Sequence, residues 1–428
     1  MHTRRDTLKA LAALATIQIV PSRVLGLNGQ TPPSETLTKG IIGCGWICGD
    51  HLTMPGRLLA LCDVDRNHLA ERLAKGKQIA TDRNQGPDDI KTYSDFRELI
   101  ARKDIDIVHI ATPPHWHAYM AIAAAKAGKD IWCEKPMSRT IGEGLAMVRE
   151  VEKYERIFRV NTWFRFEGGF YGLRAPVKLL KKAIINDMLG WPLKVTVSAH
   201  TGFDWKLNGW KGIPGLPPEP VPPELDYDMW LGPAPKKPYN HLRVHRSFRG
   251  YWDYDGGGLG DMGQHYLDPV QYMLGKDDEA PISVEIDADP QDAEAITPWR
   301  RIEYTYADGC KVILDGENKE KDAAYIEGPK GKIFKKFEST IPDLVKKLKE
   351  LPDPPQQNVD FHDCVRKRTK FALNEQNAFW SCTMVNMGIT AHRLNKNLKF
   401  DSKTLQFDDP AANALIHQPM RAPWKIDA

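Results

Sequence analysis

The stretch Thr38-Lys39-Gly40-Ile41-Ile42-Gly43-Cys44-Gly45-Trp46-Ile47-Cys48-Gly49 constrains this chain more than any other. An apolar run meets glycines at two-residue spacing, where a helix can begin. That is how a dinucleotide-binding βαβ unit starts: Gly43 permits the tight turn, and Gly45 lets a pyrophosphate approach the backbone. The turn from Gly43 through Cys44, Gly45, Trp46 and Ile47 is the expected phosphate-binding segment. The third glycine of the usual fingerprint falls at Cys48, with Gly49 one place late. A second buried strand, Leu58 to Cys62, ends in Asp63-Val64-Asp65-Arg66. An acidic residue about 20 positions after the glycines suits a ribose 2′-hydroxyl. Asp63 therefore favours NAD, while Arg66 keeps NADP open as a partner for a 2′-phosphate.

At 428 residues the chain exceeds one ordinary core, so two domains are expected. Thr3-Arg4-Arg5-Asp6-Thr7-Leu8-Lys9 is a twin-arginine pattern, followed by a modest apolar run from Ala10 to Val20. That run is too short to span a bilayer, and an export signal of the twin-arginine type over residues 1–26 is the expectation. It implies a periplasmic or secreted protein with no membrane span once the leader is removed. The leader's four basic residues and one acid account for the whole formal charge of +3. No basic block remains, so nucleic acid is not an expected partner. Residues 27–38 are polar with a Pro-Pro pair, a linker. The seven cysteines form no C-x₂-C pair, so neither a disulfide framework nor a metal site is expected.

From Lys39 to Thr162 strand and helix alternate. Leu69 to Ala80, Asp95 to Ala101, Ala118 to Ala127 and Ser138 to Tyr154 are predicted helices. Ile105 to Ala111, Asp130 to Cys133 and Arg159 to Asn161 are predicted strands. This alternation predicts a doubly wound parallel sheet of the Rossmann type, which gathers ligands at the strands' carboxyl ends. Thr112, Pro113, His117, Glu134, Lys135 and Asn161 fall there and are expected around the cofactor. From residue 163 to 428 the texture changes. Pro192 to Ala199, Val284 to Asp289, Arg300 to Tyr306 and Lys311 to Asp315 alternate as strands, and residues 340–395 return to helix. This half predicts an α+β domain with a large open, mostly antiparallel sheet. Residues 212–238 are proline-rich and suit a long loop covering a cleft.

Three residues carry the expected chemistry. Lys135 leaves a strand end between Glu134 and Pro136, and proline fixes its direction. Asp261 and His265 follow a glycine-rich turn at four-residue spacing, so a helix there projects both from one face. His265 suits the base that takes a hydroxyl proton as hydride leaves carbon, Asp261 orients the imidazole or binds a neighbouring hydroxyl, and Lys135 stabilises the alkoxide. Aromatic and cationic residues cluster in the second half, among them Trp163, Arg165, Trp205, Trp210, Trp230, Arg249 and Trp252. Of these, Trp163 and Arg165 are expected to join Lys135, Asp261 and His265 in binding substrate.

Together, Gly43-Cys44-Gly45, Asp63, Thr112-Pro113 with His117, Glu134-Lys135-Pro136, and Asp261 with His265 resemble the Gfo/Idh/MocA oxidoreductases, the family of glucose–fructose oxidoreductase and inositol dehydrogenase. The resemblance covers most of the chain after residue 38 and looks like a secreted bacterial branch. It implies a sugar, glycoside or polyol substrate, catalytic positions at Lys135, Asp261 and His265, and a homodimer or homotetramer. Export adds a constraint, because nicotinamide cofactors are not replenished outside the cytoplasm. A tightly held NAD and a redox-neutral cycle are therefore expected. One alternative is an NAD-dependent glycosidase acting by transient oxidation and elimination; another is a non-catalytic sugar-binding protein.

Overall fold

The computed structural model describes residues 36–162, 165 and 168–426. The expected leader and Trp163 lie outside the described residues. The first domain is a six-stranded sheet in the order β3-β2-β1-β4-β5-β6. Its strands are β1 (Thr38–Ile42), β2 (Arg57–Cys62), β3 (Lys91–Tyr93), β4 (Ile107–Ile110), β5 (Asp130–Glu134) and β6 (Phe158–Asn161). Every pairing is parallel. β1, β4, β5 and β6 carry near-continuous buried runs, as strands covered on both faces require. The chain order reverses between β1 and β4, and the crevice opens there.

Helix boundaries follow local chemistry. The expected helix from Leu69 begins earlier, spanning Arg66–Asp82, because the Asp65 carboxylate accepts from the backbone N–H of Asn67 and His68. The helix expected from Ser138 begins at Ile141, capped by the Thr140 hydroxyl.

The second domain holds an eight-stranded sheet in the order β12-β11-β7-β10-β9-β8-β13-β14. Its strands are β7 (Lys194–Ser198), β8 (Ser283–Ala288), β9 (Trp299–Thr305), β10 (Lys311–Asp315), β11 (Ile326–Gly328), β12 (Gly331–Ile333), β13 (Leu398–Asp401) and β14 (Gln406–Phe407). β7 and β10 pair in parallel, and the other pairings are antiparallel. The helical stretch expected over 340–395 is three helices, Leu344–Glu350, Phe361–Lys367 and Glu375–Leu394. Pro352, Pro354 and Pro355 interrupt the first two.

One helix and the tail join the halves. Glu375–Leu394 packs on both the first-domain helix Ile141–Lys153 and the second-domain helix Gly257–Leu274. The tail returns to the first domain, where Trp424 lies edge-on to Trp116 and Tyr119 at 4.9 and 5.2 Å. All seven cysteines are buried and free. Among the described residues no helix is long and apolar enough to cross a membrane.

Candidate active site

A cleft of about 740 Å3 runs along the carboxyl ends of the parallel strands and under the second domain. At one end lies the glycine turn. Gly43 has φ +95° and donates its N–H to the Cys62 carbonyl at 2.8 Å. A Cβ there would meet the Ala111 carbonyl oxygen at 2.5 Å, whereas one on Gly45 would meet nothing within 4 Å. The turn is thus squeezed between β2 and β4 on its inner side and open on its outer side. Asp63 accepts from the Cys44 N–H at 2.5 Å and the Asp65 N–H at 2.8 Å. One oxygen goes to each donor, so each keeps a lone pair for a hydroxyl. An open cradle beside an anchored acidic acceptor, in a cleft of this size, fits a dinucleotide.

The cleft brings together most of the expected residues: Gly43, Gly45, Trp46, Ile47, Asp63, Thr112, Pro113, Glu134, Lys135, Asp261 and His265 all line it. Four expected cofactor residues are placed behind it. The Cys44 thiol points down to the Cys62 carbonyl at 3.7 Å, and only its backbone N–H serves the site. The Arg66 guanidinium donates to the Pro223 carbonyl, which takes it out of the cleft. The His117 ring bridges the Pro136 and Thr112 carbonyls at 2.7 and 2.8 Å, tying the ends of β4 and β5 together. Asn161 donates to Glu134 Oε1 at 2.5 Å. His51 Nε2 meets the same oxygen at 2.9 Å. Burial works against the Glu134 charge, but the His51 contact and the Lys135 charge outweigh it and bring the carboxyl down to about 2.

Arg165, expected at the substrate, is buried elsewhere. Its guanidinium is bidentate to Asp268 at 2.6 and 2.9 Å and also pairs with Asp277 at 2.7 and 2.9 Å. Its role in this structure is to anchor the far half of the helix Gly257–Leu274. Most of the aromatic cluster is likewise core: Trp205 donates to the Val197 carbonyl, and Trp252 to the Asp292 carbonyl.

The helix Gly257–Leu274 delivers the opposing wall. Every one of its 18 residues except His265 is buried. Two contacts nail it to the turn after β5. The Lys135 ammonium donates to the Asp261 backbone oxygen at 2.6 Å and to Asp261 Oδ1 at 2.9 Å. Gln264 Oε1 accepts from the Met137 N–H at 2.8 Å. The Asp261 carboxylate also accepts from Arg249 Nε and Trp210 Nε1, both at 2.8 Å. Burial opposes its charge, but Lys135 and Arg249 overcome this and hold the carboxyl well below the usual range. Burial and then the Lys135 charge push the His265 imidazole down to about 3, so it is neutral.

Trp210 and Arg249, named in the sequence only as members of the aromatic and cationic cluster, are the partners of Asp261. Trp210 lies in a turn and Arg249 in the short 3-10 helix His245–Gly250, so no helical spacing relates them to Asp261. Another unassigned feature is a strap formed by the proline-rich stretch. Leu225 bridges Asp65, the Arg66 N–H donates to the Glu224 carbonyl at 3.1 Å, and the Asp226 N–H donates to the Val64 carbonyl at 3.0 Å. His245 Nε2 sits 3.4 Å from Asp65 Oδ2, with the His68 ring edge against it at 4.7 Å. The strap thus binds the second domain to the end of β2, directly beside Asp63.

Comparison with known proteins agrees with this architecture. Residues 37–162 match the model described as the oxidoreductase family, NAD-binding Rossmann fold. Residues 173–426 match that of the oxidoreductase family, C-terminal alpha/beta domain. Inositol 2-dehydrogenase of Salmonella typhimurium is 30% identical over 167 residues, 37% of this chain and 45% of that protein. Levoglucosan dehydrogenase of Pseudarthrobacter phenanthrenivorans is 33% identical over 184 residues, 43% of this chain and 36% of that protein. The chain thus spans less than half the length of these curated relatives. Among solved structures, the WlbA dehydrogenase of Bordetella pertussis, in complex with NADH and UDP-GlcNAcA, superposes with a TM-score of 0.57. It is 17% identical, over 86% of this chain and 99% of that one, a likeness of fold.

Proposed function

The chain belongs to the Gfo/Idh/MocA oxidoreductases, and from that premise we propose that it is an NAD-dependent enzyme oxidising a hydroxyl of a sugar, glycoside or polyol. One observation carries the reading: Lys135 from the parallel sheet and His265 from the far half of the chain line one cleft, which continues to the glycine turn and Asp63. Relatives named for inositol and levoglucosan dehydrogenation support the substrate class. Gly43 to Ile47 and Asp63 would hold the diphosphate and ribose, and Thr112, Pro113 and Glu134 the nicotinamide end. When bound, the nicotinamide supplies a two-electron hydride acceptor. The Lys135 ammonium, fixed on Asp261, is positioned to donate to the substrate oxygen and stabilise it as an alkoxide. His265, held neutral, is the base assigned to take the hydroxyl proton. Asp261 aims Lys135, while Arg249 and Trp210 hold Asp261 in place.

The strap beside Asp63 supports a cofactor that does not exchange freely. A trapped cofactor in turn favours a redox-neutral cycle, either between two sugars or within one glycoside that is oxidised, eliminated and reduced again. Export through the twin-arginine leader and assembly as a homo-oligomer complete the reading; cell fractionation and light scattering test them. For the chemistry, Lys135→Met and His265→Ala are each expected to lower kcat by ~10²-fold or more while NAD is still released on denaturation. Activity unchanged in both variants overturns the assignment.

A further inference from the structure

The cleft wall around Asp261 carries more positive charge than its carboxylates balance. Lys135 and Arg249 share Asp261 Oδ1. Lys206 Nζ, 3.8 Å from Oδ2, is a third cation on that single carboxylate. Arg246 stacks at 5.3 Å from the centroid of Trp210, whose other cationic neighbour is Arg249 at 4.8 Å. Among the described residues no carboxylate pairs with Arg246. Glu134 is turned into His51 and Asn161. Asp255, on the same wall, is pushed up by burial to about 7 and supplies at most part of a charge near neutrality. Lys206 and Arg246 are therefore left over, and both line the cleft.

Neither belongs to the diphosphate end. Lys206 is placed by its distance to Asp261, and Arg246 by the indole whose N–H donates to Asp261 Oδ2. Both are exposed, with Lys206 reaching toward Asp261 and Arg246 lying on the Trp210 ring. Such a pair costs little while water reaches it, and it gains strength when an anion closes over it and excludes water.

Resting on the reading that the oxidised hydroxyl sits at Lys135 and His265, we propose that the substrate sugar carries an anionic substituent, a carboxylate or a sulfate ester, received between Lys206 and Arg246. The test measures equilibrium binding and turnover separately, for methyl hexosides, their hexuronosides and their 6-sulfates. The expected result is a preference of about tenfold or more for an acidic member over its neutral parent, weakening as salt is raised. The carboxylate and sulfate arms identify which anion is meant. Lys206→Gln and Arg246→Gln are each expected to cut that preference about tenfold, and Lys206→Arg to retain it. Neutral sugars bound as well as acidic ones, or a preference that survives both glutamine variants, overturns the proposal. Oxidation of neutral sugars without acidic preference removes this inference and leaves the oxidoreductase reading standing. Acidic preference in binding with no turnover of any sugar does the reverse.

Discussion

Asp255 is 4% exposed and sits on the cleft wall near Arg249 and Asp261. Burial, only partly offset by Arg249, raises its carboxyl from 3.8 to about 7. A folded pKa above the unfolded one means that the native state binds the proton more tightly. The resulting stability is fully present below the unfolded value and is lost as pH rises through the folded one. Asp255→Asn removes that loss and keeps an acceptor for the Gly256 N–H. The variant is expected to gain on the native protein as pH rises from about 5 to about 8, by about 2–3 kcal/mol. Urea denaturation at the two pH values reads the difference. At this scale Lys135 was legible as a cleft residue because a proline follows it at a strand end, and Asp261 with His265 because four residues make one helical turn. The contact of Arg249 and Trp210 with Asp261 was not, because it joins a turn and a short 3-10 helix to the longer helix in a way only the folded chain brings about. Arg165 misled for a related reason: a cation beside aromatics looks like a sugar site, and nothing in its neighbourhood announces Asp268, 103 residues away.

The helix Gly257–Leu274 shows what such a distant pair does for an element. Arg165 and Asp268 are both fully buried, and each satisfies the other. Removing one partner strands a charge out of water, which costs about 3–5 kcal/mol. Arg165→Met is expected to destabilise the protein by that order, and Arg165→Met with Asp268→Leu to recover much of it; thermal melts of both variants check this. The glycine turn makes a second demand. Gly43→Ala places a methyl against the Ala111 carbonyl at a φ that disfavours side chains. Loss of bound NAD together with a lowered Tm is expected, with the bound nucleotide assayed after denaturation. The parallel sheet was readable because its strands are unbroken apolar runs punctuated by helices. The pair β11 and β12, three residues each, and the two-residue β14 are too short to show a period.

Over the whole molecule, the strap from 212 to 238 and the tail both close on the first domain, and both reach Trp116. Arg421 pairs with Asp228 of the strap, so the two enclosing segments also hold each other. Replacing residues 214–226 with a short Gly-Ser link leaves Lys135, Asp261 and His265 in place but removes the Glu224, Leu225 and Asp226 contacts that hold the end of β2. Exchange of bound NAD against labelled NAD is expected to speed up about tenfold or more, followed by dialysis or filter assay. An exchange rate equal to that of the intact protein would show the strap to be irrelevant to retention. The tail has a consequence in time rather than space. Trp424 is the last large side chain to reach the pocket formed by Phe96, Trp116 and Tyr119, and all three are made some three hundred residues before it. A ribosome must add some three hundred residues after Tyr119 before that pocket can be sealed.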